Sequence, residues 1–163
     1  MAFAAAVLTT SDQGARGERE DTSGIIIKDL LASIGADIAR YEVIPDDLER
    51  ISEHLRRWAD GGSVQLIVTT GGTGLGPRDV TPQATLAVID YEVPGIAEAM
   101  RTEGLKHTPM SMISRAVAGV RGKTLIVNLP GNPKGVEENL SAVLPVLEHA
   151  IELITGEDSP HQR

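Results

Sequence analysis

Fifteen residues, Val68 to Pro82, constrain this chain more than any others: VTTGGTGLGPRDVTP. Val64 to Val68 before them is a short apolar run rich in β-branched residues, the pattern of a buried strand. Gln83 to Val88 after them reads as a helix, with Thr81 as its N-cap and Pro82 at its first position. The stretch is therefore strand, glycine-rich loop, helix. Gly71, Gly72, Gly74 and Gly76 let the backbone turn sharply and approach a ligand closely. Loop amides beside a helix N-terminus make an anion site. Arg78 adds a fixed positive charge and Asp79 a metal ligand of the hard, oxygen type. The bland alternative is a slack connection, against which stand two prolines and the dense TTGGTG packing.

The loop is not of the Walker type, since no Gly-Lys-Ser/Thr follows it. Gly72, Gly74 and Gly76 give G-x-G-x-G, which is also not the dinucleotide fingerprint.

The rest of the chain builds an α/β pattern around it. Phe3 to Thr10 is an apolar strand throughout, hence an inner one. The charged loop Gln13 to Glu20 follows, and Ser11 and Asp12 at the strand end either touch a ligand or simply terminate the strand. Asp21, Thr22 and Ser23 suit the N-cap of a helix through Leu31, closed by Gly35, and a ligand contact is their second reading. Asp37 to Ile44 reads as a second strand; Asp46 or Asp47 then caps a helix from Leu48 to Ala59. Its Ile51, Leu55 and Trp58 fall on one face. Asp90 to Gly95 is a turn, Ile96 to Lys106 a helix, and Ser111 to Ser114 a short helical turn. Arg115 to Arg121 and Thr124 to Leu129 form a hairpin about Gly122-Lys123, so one strand is antiparallel. Pro130 to Gly135 is a second constrained loop, with Asn132 capping and Pro133 opening a helix from Val136 to Ile154. Pro145 inside that helix predicts a kink or break near Ser141.

This order predicts a three-layer α/β/α sandwich with a mostly parallel mixed sheet. It spans 1–155 as one domain, with 156–163 a loose tail. If the strands are parallel, their loops gather on one rim. Asp46, Asp79, Arg78 and Lys134 would then meet glycine-rich backbone there, which suits a phosphate-bearing ligand with Mg²⁺.

Composition removes other classes. The net charge of −8 argues against nucleic acid and anionic membranes as partners. Aromatics are 2% of 163 residues, too few for a base-stacking platform. With no cysteine there are no disulfides, thiolate metal sites or cysteine nucleophiles. No G-x-S-x-G elbow and no paired histidines at ligand spacing occur. The apolar start from Met1 to Leu8 is too short for a signal peptide, and no run reaches a membrane span, so the expected location is the cytoplasm.

The glycine loop with Arg78-Asp79-Val80-Thr81-Pro82 closely resembles the signature of the molybdopterin adenylyltransferase family. That family includes the bacterial MogA and MoaB proteins, the plant enzyme's G domain and the gephyrin G domain. Asp21-Thr22-Ser23-Gly24, Ile44-Pro45-Asp46-Asp47, Ser114-Arg115-Ala116 and Leu129-Pro130-Gly131-Asn132-Pro133 extend the likeness over nearly the whole chain. The resemblance implies a mixed sheet flanked by helices, assembled as a trimer or, in some MoaB-type members, a hexamer. It implies molybdopterin and Mg-ATP as substrates, giving adenylylated molybdopterin and pyrophosphate, and passing contact with other molybdenum cofactor biosynthesis proteins. It implies Asp46 and Asp79 as the catalytic, metal-holding pair. Ser11, Asp12, Gly71, Gly72, Thr73, Gly74, Arg78, Ser114, Pro130, Gly131, Asn132 and Lys134 are the expected substrate contacts. Two rivals stand beside this reading: a non-catalytic pterin carrier or scaffold, and a nucleotide hydrolase that turns over ATP without pterin.

Overall fold

The computed structural model describes residues 2–157. Six strands form one sheet in the order β2-β1-β3-β6-β5-β4. They are β1 (Phe3–Thr10), β2 (Ala36–Ile44), β3 (Leu66–Thr70), β4 (Tyr91–Glu92), β5 (Ala118–Arg121) and β6 (Thr124–Leu129). β2, β1, β3 and β6 run parallel, and β5 lies antiparallel between β6 and β4. β1 is an inner strand, as its unbroken apolar run requires.

The helices are α1 (Asp12–Ala15), α2 (Thr22–Ser33), α3 (Leu48–Asp60), α4 (Thr81–Leu86), α5 (Pro94–Leu105) and α6 (Pro133–Thr155), with a 3-10 turn at Pro109–Ile113. The period-2 alternation of the strands sorts the core into two layers. Val7, Val68 and Val127 face Ile27 and Leu31 of α2, Met100 of α5 and Leu140 and Leu147 of α6. Leu8, Ile67 and Ile126 face Ile51, Leu55 and Trp58 of α3 and Ala84 of α4. This is the expected three-layer α/β/α arrangement.

Local details depart from the sequence reading. β3 starts two residues later, at Leu66, because Val64 and Gln65 lead into the sheet: Gln65 Oε1 accepts the Ala4 amide at 2.9 Å. Thr81 is inside α4, whose cap position is Val80 without a side-chain bond; the Thr81 hydroxyl is drawn instead to Thr10 Oγ1 at 3.1 Å. α1 adds one helical turn within the charged loop, capped by Ser11. Asp90 to Gly95 is not only a turn, since Tyr91–Glu92 pairs with β5 as an edge strand. β5 begins at Ala118 rather than Arg115, and the preceding segment turns away to the glycine loop. α6 runs unbroken through Pro145. Of the expected tail, Gly156 is the left-handed C-cap of α6 with φ 79°, and 158–163 lie outside the described residues.

Candidate active site

The four parallel strands end in register. Thr10 stands opposite Ile44, Thr9 opposite Thr70, and Thr70 opposite Leu129. Their loops therefore leave from one rim. α2 follows β1 onto one face of the sheet and α4 follows β3 onto the other, so a crevice opens between the two strands. A cleft of about 660 Å³ lies there. Its walls include Thr10 at the end of β1 and Ser11 after it, Asp46 after β2, Gly71 and Gly72 after β3, and Gly131 and Asn132 after β6. Asp79 closes one side, and Arg19 to Ser23 the other.

The glycine loop is shaped first by its neighbours in the chain. Gly71 has φ 98°, and a Cβ there would drive into the Thr10 carbonyl oxygen. Gly72 has φ 67°; its Cβ would stand 2.5 Å from Thr81 Oγ1 and 3.3 Å from Asp46 Oδ1. Glycine is needed at both positions because left-handed backbone coincides with close approach. The Thr81 amide closes the turn onto the Gly72 carbonyl at 3.2 Å. Among the described residues the amides of Gly72, Thr73 and Gly74 have no hydrogen-bond acceptor. Unpaired donors at the end of an inner strand, with the first turns of α2 and α6 on the same cleft, favour an anionic ligand.

Arg115 staples this loop. Its Nε donates to the Gly74 carbonyl at 2.8 Å, one guanidinium nitrogen to the Asp79 carbonyl at 2.8 Å, and the other to Gln83 Oε1 at 3.0 Å. Its own amide donates to the Thr73 carbonyl at 2.8 Å. Asn128, wholly buried on β6, accepts the Val117 amide at 3.1 Å and donates to Thr69 and Thr85 hydroxyls at 3.0 Å each. It thus ties the segment behind Arg115 to β3 and α4.

Asp46 and Asp79 both face the cleft. Asp47, not Asp46, caps α3, accepting the Arg50 amide at 2.9 Å. That leaves Asp46 to exchange hydrogen bonds with Asp12. Burial, then the negative charges of Asp12 and Asp79, hold the Asp46 carboxyl above its ordinary pKa, against a lowering hydrogen bond from the Asp12 amide. Asp79 Oδ2 accepts the Gly76 amide at 2.9 Å. Arg78 turns from Asp79 to Asp12, meeting its carboxylate with two bonds of 3.1 Å each. That pairing is the main reason the Asp12 carboxyl is held below its usual range.

The remaining expected contacts divide. Ser114, Pro130 and Lys134 line a smaller hollow of about 190 Å³ with Ser111 and Met110; Asn132 borders both spaces. Thr73 is buried behind the loop. The second loop is fixed by Thr70 Oγ1, which donates to the Pro130 carbonyl at 2.7 Å, and Ser23 Oγ, which donates to the Gly131 carbonyl at 2.7 Å. Sequence reasoning passed over Thr10, Arg19 and Arg115. The register of β1 against β3 could have found Thr10; Arg115 stands in the Ser114-Arg115-Ala116 triplet of the family likeness, but nothing local to it names its partners. Asp21 does cap α2, accepting the Gly24 amide at 3.0 Å, and it also lies on the cleft wall.

The model of the family described as "Probable molybdopterin binding domain" matches residues 6–149. A molybdopterin adenylyltransferase of Helicobacter pylori is 41% identical over 152 residues, covering 92% of this chain and 86% of the relative. The crystal structure of the molybdopterin biosynthesis enzyme MoaB from Thermus thermophilus superposes with a TM-score of 0.89 at 56% identity, covering 94% of this chain and 97% of that one. The molybdopterin biosynthesis Mog protein of Mycobacterium ulcerans gives 0.88 at 40% identity, with 96% and 99% covered. The chain belongs to the molybdopterin-binding domain family that contains the bacterial Mog and MoaB proteins.

Proposed function

We propose that this protein is a molybdopterin adenylyltransferase of molybdenum cofactor biosynthesis, joining the adenylyl group of ATP to the phosphate of molybdopterin and releasing pyrophosphate. The observation that carries this reading is that Asp46 and Asp79 line one cleft together with Gly72 of the glycine loop, whose amide is unpaired among the described residues. The name of the Helicobacter relative supports it. A phosphate oxygen of the pterin attacks the α-phosphorus, the bond from that phosphorus to the β-bridging oxygen breaks, and pyrophosphate carries away the electron pair. The attacking phosphate is already ionised, so no general base is required. Two anions must instead be brought together, and loop amides and a fixed cation lower that cost.

The donor set fits Mg²⁺. Asp46 and Asp79 line one cleft, and one or two carboxylates with phosphate oxygens and water complete the shell this ion takes. Asp46 and Asp79 would hold the ion, which would neutralise phosphate charge when bound. Asp12 and Arg78 orient Asp46; Arg115 holds the backbone of Asp79 in place. The two adjoining hollows that share Asn132 suit two substrates, ATP in the larger and the pterin in the smaller, within reach of Ser114 and Lys134.

A homotrimer, or a pair of trimers, is the proposed assembly. Met110 and Met112 are exposed at 62% and 69% beside exposed Leu105 and Ile113, an apolar area of the kind that subunit contacts cover. Light scattering at micromolar concentration checks it, and a monomer alone would refute it. No helix among the described residues is long and apolar enough to cross a membrane. Incubation with molybdopterin, ATP and Mg²⁺ should give adenylylated pterin by mass, with stoichiometric pyrophosphate. Binding of pterin with no product would favour a carrier; ATP turnover without pterin would favour a hydrolase.

A further inference from the structure

We propose that Arg19 is the residue that grips the phosphate tail of the nucleotide and the departing pyrophosphate, an inference that rests on the adenylyl-transfer reading. The larger cleft is lined by four carboxylates, Glu20, Asp21, Asp46 and Asp79, and among the described residues by a single lysine or arginine, Arg19. A triphosphate entering that space meets mostly negative charge. Asp46 and Asp79 would be offset by the ion proposed for them, and the remaining repulsion needs a cation of the protein.

The other nearby arginines are committed. Arg78 is bound to Asp12, Arg16 to Glu18 at 3.0 Å, and Arg115 to Gly74, Asp79 and Gln83. Arg19 has no hydrogen bond or ion pair among the described residues. Its backbone is nevertheless well placed. Before it, the Gly17 and Glu18 amides close turns on the Gly14 and Gln13 carbonyls at 3.0 and 2.9 Å. After it, Asp21 is anchored by the hydroxyls of Thr9 and Tyr41 and by the Gly24 amide. A fixed backbone carrying a free guanidinium into a cleft is an arrangement for an incoming phosphate, which it can meet with a two-pronged bond.

The position matters for the chemistry. Charge builds on the leaving pyrophosphate as the α-phosphorus bond breaks, so a cation there favours the transition state over the bound substrate. Lys134, which lines the smaller hollow, is free for the phosphate of the other substrate.

The test measures binding without pterin. Titration calorimetry with Mg²⁺ and, separately, inorganic pyrophosphate, ATP and AMP should be run on wild type, Arg19→Gln, Arg19→Lys and Lys134→Gln. Arg19→Gln should weaken pyrophosphate and ATP by about tenfold or more and AMP by less than about twofold, the scale of one charge-assisted contact. Arg19→Lys should recover part of the loss, since a point charge replaces a fork. Lys134→Gln should leave pyrophosphate affinity near wild type. Arg19 makes no contact that folding depends on, so its variants should melt with wild type. Equal pyrophosphate affinity in wild type and Arg19→Gln, or a loss in Lys134→Gln instead, would overturn the assignment while leaving adenylyl transfer standing. If wild type forms no adenylylated pterin but Arg19→Gln still loses pyrophosphate, the transfer reading fails and the anion site remains.

Discussion

Asp12 and Asp46 brace the ends of two neighbouring strands against each other: the Asp46 amide donates to Asp12 Oδ1 and the Asp12 amide to Asp46 Oδ2, both at 3.0 Å. The bond pair fixes the direction in which the Asp46 carboxylate points. It also links Arg78 to Asp46 at one remove, because Arg78 and the Asp46 amide share the Asp12 carboxylate.

Arg78 is therefore a positioning residue by its geometry, and lysine tells this role from phosphate binding. A lysine supplies charge but no two-pronged bond. Arg78→Lys should lose adenylyl transfer by about tenfold, the price of a loosened reacting centre. Added Mg²⁺ should restore part of that activity. If Arg78 instead touched phosphate, Arg78→Lys would stay close to wild type with an altered KM for ATP alone.

Gly72 is less simple to test than its motif suggests. Gly72→Val looks from the sequence like a change that blocks a ligand and leaves the fold largely intact. The positive φ and the approach to Thr81 Oγ1 now assign part of its cost to the fold. The expected loss of stability is about 1–3 kcal/mol, as for a non-glycine residue held in an unfavourable region. Urea unfolding of Gly72→Ala measures it; a midpoint equal to wild type would mean that the loop relaxes at no cost.

Which parts of the site were readable beforehand follows from how local they are. The glycine loop, the capping Asn132-Pro133 and the Asp46-Asp47 corner carry their signals within a few residues, and they sit where the pattern of strands put them. Arg78 and Arg115 could not be told apart in this way. Arg78 belongs to the motif and turns out to hold Asp12; Arg115, read as the start of a strand, reaches across 41 residues to Gly74. Long-range bonds of that kind depend on the tertiary approach of two segments, and no spacing in the chain encodes them. Asn128 is similar: a polar residue in an apolar strand signals a network without naming its partners, Thr69 and Thr85.

Arg115 should accordingly matter more for order than for charge. Arg115→Lys cannot satisfy the carbonyls of Gly74 and Asp79 and the side-chain oxygen of Gln83 together. It should destabilise the fold by about 1–3 kcal/mol, the range for polar groups left unpaired. Hydrogen exchange should rise at the bonded amides of Gly76, Asp79 and Arg115 while β1 and β6 stay protected. Uniform exchange across the sheet would argue against a local staple.

The Asp46 and Asp79 pair makes a stronger prediction, because stability and activity should part company. Asp46→Asn and Asp79→Asn should each lose adenylyl transfer by at least about a hundredfold, the scale of a removed electrostatic group at a reacting centre. The double variant should be little worse than either single one, since both would serve one ion. Asp47 caps α3, so the helix start is untouched by Asp46→Asn, and the asparagine carbonyl can still accept the Asp12 amide. The sign of the pH effect follows from the raised pKa of Asp46. The folded state binds the Asp46 proton more tightly than the unfolded state, so ionisation of this group costs stability. That cost is absent below the unfolded pKa, grows as pH rises through the folded pKa, and is complete above it. In metal-free protein Asp46→Asn should therefore melt at or above the wild-type temperature at pH 7, and the difference should close as pH falls toward about 4, the ordinary carboxylate value. Added Mg²⁺ should raise the wild-type midpoint and not that of the variant. A variant that melts lower than wild type at pH 7, or one that retains full activity at saturating Mg²⁺, would remove Asp46 from the metal site and return it to a structural role.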